Sequence, residues 1–498
     1  MQLDSDQKEV YDTLIKRYKK YDNQLLPANG GFGKSRIGTN VASYMHKKEE
    51  RTVLVLCPKT LIPMWQKHLD DLKIPILMIC TYNKLAGNKS GCKHNLLIPK
   101  NKIYSETKYW LKQKVFIICD ESQAIKNPKT AAHVSFFALI KNHHNCKVLH
   151  LTAAPIDKRD NWICLYRNLG LIKTSTLILK NDYENYGLGD LFDIAKKYDK
   201  HIIKNVGQIK SSKIPDILQY MWVNIFRKLV VIDVKDPIYK NINGVVLKKK
   251  MCNFFATLDD DGIQLLNEAM VDLGHADIVK NGQVNEEKMK RNLGVVILSL
   301  MKLSRAKLTT IIRLSIERLV VEGPLITGRK IVIFCQFIDD QHILFKSLEK
   351  YNPLLLNGKV KNRDEVINKF NQYDLQYRCL IISVELGEGI SLHDTHGDFP
   401  RTIFIIPTYH FLKAFQASCR TYRRGLQSDV EVMMIYSNIN MVESILVNLL
   451  AKTETSLDVL MPDSGRVFPG SWDYEIEGPE EHIELRGKLE EEQLKYKK

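Results

Sequence analysis

Along the opening third of the chain, short apolar runs alternate with segments whose apolar positions recur at helical spacing. The runs are "TVLVLCP", "ILMICTY", "VFIICDE" and "KVLHLTAAP". Consecutive apolar positions suit strands buried on both faces, and helices between such strands make their sheet parallel. The same texture returns late, in "KIVIFCQF", "PLLLNG", "CLIISVE", "TIFIIPT" and "VEVMMIY". The pattern predicts an α/β protein with two parallel-sheet lobes, over residues 1–165 and 326–460.

The stretch between them, residues 166–325, is richer in lysine and more helical, and is expected to be an insertion and linker region. Its clearest helical signal is "LGVVILSLMKLSRAKLTTIIRLSIERLVVEG" (Leu293–Gly323), ending at a glycine that suits a helix C-terminus. Residues 461–498 are highly charged and read as a C-terminal tail, a solvated helix or a frayed end.

Composition narrows the classes. With 498 residues, 44% of them hydrophobic and 26% charged, the chain is long enough for two cores and is not a disordered protein. A net charge of +16 favours a polyanionic partner, most simply nucleic acid. Ten cysteines without a CxxC pair point to reduced thiols inside a cell. The start, "MQLDSDQKEV", does not read as a signal peptide, and the most apolar run, "LGVVILSLMKL", is too short to span a bilayer, so no membrane association is expected.

Candidate chemistry gathers in the first lobe. "NGGFGKS" (Asn29–Ser35) stands between a short apolar run and a helical pattern. A glycine-rich turn entering a helix lets successive N–H groups converge on phosphate oxygens. Gly31 and Gly33 supply the turn, Lys34 the cation for the β- and γ-phosphates, and Ser35 a hydroxyl for Mg²⁺. The full P-loop pattern asks for glycine where Ala28 stands. Later, "KVFIICDES" puts Asp120 and Glu121 at the end of a buried strand, where a parallel sheet presents chemistry. Asp120 suits Mg²⁺ and Glu121 suits an attacking water, so ATP with Mg²⁺ is the expected ligand.

The ordered segments "GFGKS", "VLVLCPKTLIPMWQKHL", "TYNKL", "ICDESQAIKN" and "LTAAPI" resemble the superfamily-2 helicase-like ATPases, and among them the Swi/Snf-related DNA translocases. The second half agrees in "GRKIVIFCQF", "LLLNGKVKNRDEVINKF", "SVELGEGISL" and "QASCRTYRRG", so the resemblance runs over about residues 1–440. The departures are Asn29 and Gly30 for an acidic pair, Ser122 and Gln123 for Ala and His, and Ala153 and Ala154 for Gly and Thr. Glu385 and Glu388 also enter a loop of small residues, and Leu426 replaces Gln.

This resemblance implies two RecA-like lobes and a set of roles. Arg420 and Arg423 would be arginine fingers on one helix face, and Gln416 would contact the nucleotide or the lobe interface. Gln7 would read adenine, Gly387 would belong to the nucleotide loop, and Thr152 would relay the γ-phosphate state. Nucleic-acid contacts would fall to Lys59, Thr60, Thr81 with Tyr82, Gln336, Asn357 and Ser383, with Lys248–Lys250 as an extra basic contact. The function so implied is an ATP-dependent, DNA-stimulated translocase on duplex DNA, acting in viral transcription or genome remodelling. The alternatives are a strand-separating DNA or RNA helicase and a non-catalytic subunit of a transcription complex. RNA polymerase or other transcription machinery is the further expected partner, with the chain a monomer or a subunit. The expected compartment is nucleus or cytoplasm, or the viral factory or virion for a viral protein.

Overall fold

The computed structural model describes residues 2–85, 96–100, 103–141, 143–156, 161–172, 191, 214–232, 234, 238–280, 283–320, 329–386, 389–407, 411–437 and 473–476. The chain divides into two compact units, Met1–Asp236 with Ser456–Gly465, and Pro237–Thr455 with Arg466–Lys498. The stretch 166–325 is therefore shared between the two units, with the division falling at Asp236/Pro237.

The first unit is built on strands β1 (Asn23–Pro27), β2 (Thr52–Leu56), β3 (Ile76–Cys80), β6 (Val115–Asp120) and β7 (Cys146–Thr152). A short antiparallel hairpin, β4 (Leu97–Lys100) and β5 (Ile103–Glu106), lies outside that sheet. The sheet is parallel throughout, in the order β1-β7-β6-β2-β3. All six residues of β6 are buried, as expected of a central strand covered on both faces. Helices α1 (Ser5–Arg17), α2 (Lys34–Glu49) and α3 (Ile62–Asp71) contribute Leu14, Val41 and Trp65 to the core on one face. Trp110 and Phe136 fill the other. The described cysteines are buried without disulfides, and burial raises the thiols of Cys57, Cys119 and Cys146.

The second unit holds β8 (Lys249–Ala256), the hairpin of β9 (Val279–Lys280) and β10 (Gln283–Val284), then β11 (Lys330–Cys335), β12 (Leu354–Leu356), β13 (Cys379–Ser383), β14 (Arg401–Ile405), β15 (Val430–Ser437) and β16 (Asp473–Ile476). Its large sheet is also all parallel, ordered β12-β13-β11-β14-β15-β8-β16. The five late runs thus form strands as their texture predicts.

Three details differ from the sequence reading, the first being that Asp473–Ile476, inside the stretch read as a charged tail, is strand β16 of the large sheet. Lys249–Ala256, inside the stretch read as helical, is a strand of the large sheet. Its leading lysines disguise the buried run "CNFFA". Lys250 is held by Glu475 at 2.8 Å, which ties this strand to β16. The long helix read over Leu293–Gly323 is two helices, Leu293–Ala306 and Leu308–Val320, broken at the fully buried Lys307. Among the described residues no helix is long and apolar enough to cross a membrane.

Candidate active site

The carboxyl ends of β1, β7 and β6 lie side by side, and the residues that follow them are those singled out for phosphate chemistry. Pro27 is in register with Thr152, and Leu151 with Asp120. The phosphate-loop candidate is stitched to β7 by Ala28 N–H donating to the Thr152 carbonyl at 3.0 Å.

The loop turns through Gly31 and Gly33, at φ of 94° and 93°, and enters α2 at Lys34. Gly33 has a second reason to be glycine. A Cβ there would stand 2.2 Å from Nε2 of Gln7. Gln7 is itself buried on α1 and donates that amide to the Phe32 carbonyl at 2.8 Å, while Asp4 and Gln7 form a capping box at the helix start. Gln7 is thereby brought to the loop. Lys34 Nζ donates to the Ala28 carbonyl at 2.6 Å and to that of Asn29 at 3.3 Å. A cation held by neutral carbonyls over a nest of loop amides fits a phosphate ligand. Ser35 follows on the first turn of α2, half-buried.

Asp120 is 3% exposed, and three groups fix it. Trp65 Nε1 donates to its Oδ2 at 2.9 Å, Glu121 N–H to its Oδ1 at 3.1 Å, and the Tyr82 hydroxyl to its carbonyl at 2.8 Å. Burial, with the neighbouring Glu121 charge, raises its pKa to about 6, against the Trp65 bond and the Lys34 charge, which lower it. Glu121 sits at φ 50°, a left-handed conformation that a glutamate occupies at a cost and that turns its side chain off the strand line.

From Glu121 a hydrogen-bonded chain runs to β7. Gln123 Nε2 donates to Glu121 Oε2 at 2.9 Å, the Thr152 hydroxyl donates to Gln123 Oε1 at 2.6 Å, and Ala154 N–H donates to Thr152 Oγ1 at 3.0 Å. Thr152 is buried, and so are Ala153 and Ala154. The segment "LTAAPI" is therefore core and connection at once.

Sequence reasoning missed Trp65 and Gln123 as holders of the two carboxylates. Trp65 stands far from Asp120 in sequence and gives no spacing signal. Its approach relies on Gly38, where a Cβ would lie 3.1 Å from the indole. Tyr82 is buried, and its hydroxyl is spent on Asp120, so it does not face a nucleic acid.

The proposed track residues all lie at the carboxyl edges of the sheets. In the first unit, Lys59 and Thr60 are exposed just past β2, and Thr81 is half-buried just past β3. The edge of this sheet thus carries the phosphate candidates after β1, β7 and β6, and the track candidates after the neighbouring β2 and β3. In the second unit, Gln336 follows β11, Asn357 follows β12 and Ser383 ends β13, on three adjacent strands. Asn357 is buried and accepts from Lys359 N–H at 3.0 Å, so part of its side chain shapes its own turn. Ser383 is also largely enclosed. Gly387 and Glu388 lie outside the described residues, while Glu385 pairs with Lys413.

The arginines require a correction. Helix Phe411–Ser418, which carries the buried Gln416, stops before them, so Arg420 and Arg423 do not share a helix face. Cys419 N–H and Arg420 N–H reach back to Gln416 and Ala417, which tightens the last turn and ends the helix. The chain then turns at Gly425, φ 87°, with Leu426 buried behind it. Arg420 is buried, and Arg423 is half-buried with Nε on the Cys419 carbonyl at 3.3 Å. Burial and the positive charges of Arg423 and Arg401 lower the pKa of the adjoining His393 to about 4.

Residues 1–157 match the family model described as "Type III restriction enzyme, res subunit". Nuclear protein STH1/NPS1 of Saccharomyces cerevisiae is 21% identical over 96% of the chain and 36% of its own length. A protein of Acanthamoeba polyphaga mimivirus, L364, whose name suggests an ATP-dependent RNA helicase, is 22% identical over 88% of the chain and 80% of its own length. SNF2 domain-containing protein ENL1 of Oryza sativa is 22% identical over 84% of the chain and 48% of its own length. The chain thus spans well under half of the yeast relative and about half of the rice one. Among solved structures, the Sulfolobus solfataricus SWI2/SNF2 ATPase core in complex with dsDNA aligns over 93% of this chain and 94% of that one, at 19% identity and a TM-score of 0.34.

Proposed function

We propose that this chain, a Swi/Snf-related member of the helicase-like superfamily 2, is an ATP-dependent translocase that moves on duplex DNA. The carrying observation is the convergence of Lys34, Asp120, Glu121 and Thr152 at adjoining strand ends, linked by Ala28–Thr152 and Thr152–Gln123–Glu121. Lys34 would exchange its carbonyl partners for phosphate oxygens, and the positive φ of Gly31 and Gly33 would let loop amides turn toward them. Gln7, held at the loop by Phe32, is proposed as the base contact.

Magnesium is the metal the site suits. The carboxylate of Asp120 and the hydroxyl of Ser35 are oxygen donors, and a Mg²⁺ ion commonly keeps water and phosphate in the rest of its shell. Asp120 and Ser35 would hold it, and bound there it would neutralise charge on the phosphates. Glu121 would orient the attacking water, its angle set by Gln123. Arg420 and Arg423 are proposed as fingers on the strength of the sequence resemblance, and Gln416 and Gly387 as nucleotide contacts on the same ground.

For DNA, the +16 charge and the exposed Lys59 and Thr60 support a backbone-directed grip without base reading. Movement would follow from alternating affinity for the strand as nucleotide binds and leaves. The mimivirus relative favours a second reading, strand separation on RNA.

One assay separates the two. ATP turnover is measured without nucleic acid and with single-stranded DNA, duplex DNA or RNA, for wild type and Lys34→Ala. Stimulation by duplex DNA, lost in Lys34→Ala, is expected. Stimulation by RNA alone would remove the translocase reading, and equal turnover by Lys34→Ala would remove the phosphate site.

A further inference from the structure

The two most exposed large apolar side chains among the described residues are Ile242 and Ile238, at 89% and 74%. Both belong to one hairpin in the second unit, which also exposes Val245 and Val246. The hairpin is well formed. Leu247 N–H donates to the Tyr239 carbonyl at 2.9 Å and Asn241 N–H to that of Val245 at 3.0 Å. The Asn241 side chain accepts from Asn243 and Val245, and Gly244 supplies the turn at φ 76°.

Its two faces differ in kind. Tyr239 and Leu247 point inward. Tyr239 packs on Tyr422 with ring centroids 4.9 Å apart, and Leu247 is buried. Ile242 N–H donates to Gln427 Oε1 and Lys248 N–H to Asp429 Oδ1, each at 2.8 Å, which pins the same hairpin to the chain that follows the arginines. Lys240 is bridged to Val246, and in that register Ile238 falls opposite Lys248. The outward face therefore alternates the aliphatic Ile238, Ile242 and Val246 with Lys240 and Lys248, both exposed, while Val245 lies across from Asn241 on the other face.

An ordered turn that keeps four aliphatic side chains in water is a docking surface rather than a solvated loop. Its chemistry selects the occupant. Phosphate contacts need a density of donors, and base stacking needs aromatic faces. Two lysines among three aliphatic groups offer neither. An extended protein strand that alternates carboxylates with aliphatic side chains complements the pattern in both charge and apolar contact.

We propose that the outward face of residues 238–248 binds such an acidic, aliphatic segment of a protein partner. The inward anchorage beside Tyr422 gives that partner a route to the arginine-bearing turn.

The test is fluorescence anisotropy with labelled peptides of alternating Glu and Val, Lys and Val, and Glu and Ser, with short duplex DNA as a separate arm. Wild type is expected to bind the Glu–Val peptide in preference to the others. Ile242→Asp with Val246→Asp should weaken it about tenfold or more, since truncating or charging central apolar contacts commonly does so. Lys240→Glu should weaken binding of the Glu–Val peptide and raise that of the Lys–Val peptide. Both variants should keep wild-type ATP turnover and duplex affinity, which also shows that they fold. Failure of wild type to bind the Glu–Val peptide, or equal binding by the variants, overturns the proposal. So does loss of duplex affinity in the variants, which would assign the face to nucleic acid. Self-association of wild type that the variants abolish would assign it to a second copy and likewise end the proposal.

Discussion

The Thr152 hydroxyl donates to Oε1 of Gln123 at 2.6 Å, and Gln123 in turn donates to Glu121. A threonine at the end of β7 is therefore linked, through Gln123, to a carboxylate just past the end of neighbouring β6. Thr152→Val keeps the volume and removes the hydroxyl, leaving Gln123 Oε1 and Ala154 N–H without it. Turnover is expected to fall roughly tenfold with nucleotide affinity nearly unchanged, as for an interaction made mainly in the transition state. Thr152→Ser should restore most of it. Steady-state kinetics beside nucleotide titration checks this, and an equal loss of affinity would rule out a relay.

Asp120 links pH to both stability and turnover. Its folded pKa, about 6, lies above its ordinary value of 3.8, so folding favours the protonated form. The resulting stability is complete below about pH 4 and is lost as pH rises through about 6. Above that the buried carboxylate is a cost, and Asp120→Asn should be more stable than wild type near pH 8 by on the order of 2 kcal/mol. The advantage should vanish near pH 4, as urea unfolding at the two pH values would show. Turnover should fall with acid through about pH 6, and added Mg²⁺ should move that limb to lower pH if Asp120 holds the ion.

Gly33→Ala meets two obstacles, a positive φ and the Gln7 amide. It should displace Gln7 from the Phe32 carbonyl and cost about 1–3 kcal/mol in thermal unfolding. Nucleotide binding should drop with it. Gln7→Ala in the same background should recover part of the stability, because the clash is removed. No recovery would mean that backbone strain alone accounts for the loss.

Arg423→Ala should bind nucleotide as wild type does and turn it over about a thousandfold more slowly, the scale of an arginine finger. Unchanged turnover would reject the finger and leave Arg423 as a stay of its own turn, through the Cys419 carbonyl.

The sheets were legible because burial on both faces writes an unbroken apolar run, as in β6 and β15. The phosphate loop was legible because its glycines and lysine are adjacent in sequence. Trp65 was not, because its bond to Asp120 crosses from α3 to β6 and leaves no local pattern. Strand β8 hid behind its leading lysines, and the arginine turn behind a spacing that a helix also permits. The left-handed backbone at Glu121 has no signature at all, since glutamate rarely adopts it.

The order of strands in the second sheet sets a timetable. Everything the first sheet needs has been synthesised by Thr152, whereas the other waits for β16, beyond residue 472, to pair with a strand made more than two hundred residues earlier. A nascent chain therefore carries β8 with both ladders open until β15 is made and one still open until β16 follows, an invitation to premature pairing with neighbours on the polysome. A nonsense codon just upstream of Asp473 would make that exposure permanent. The product should then appear in inclusion bodies although every residue of the phosphate loop is intact.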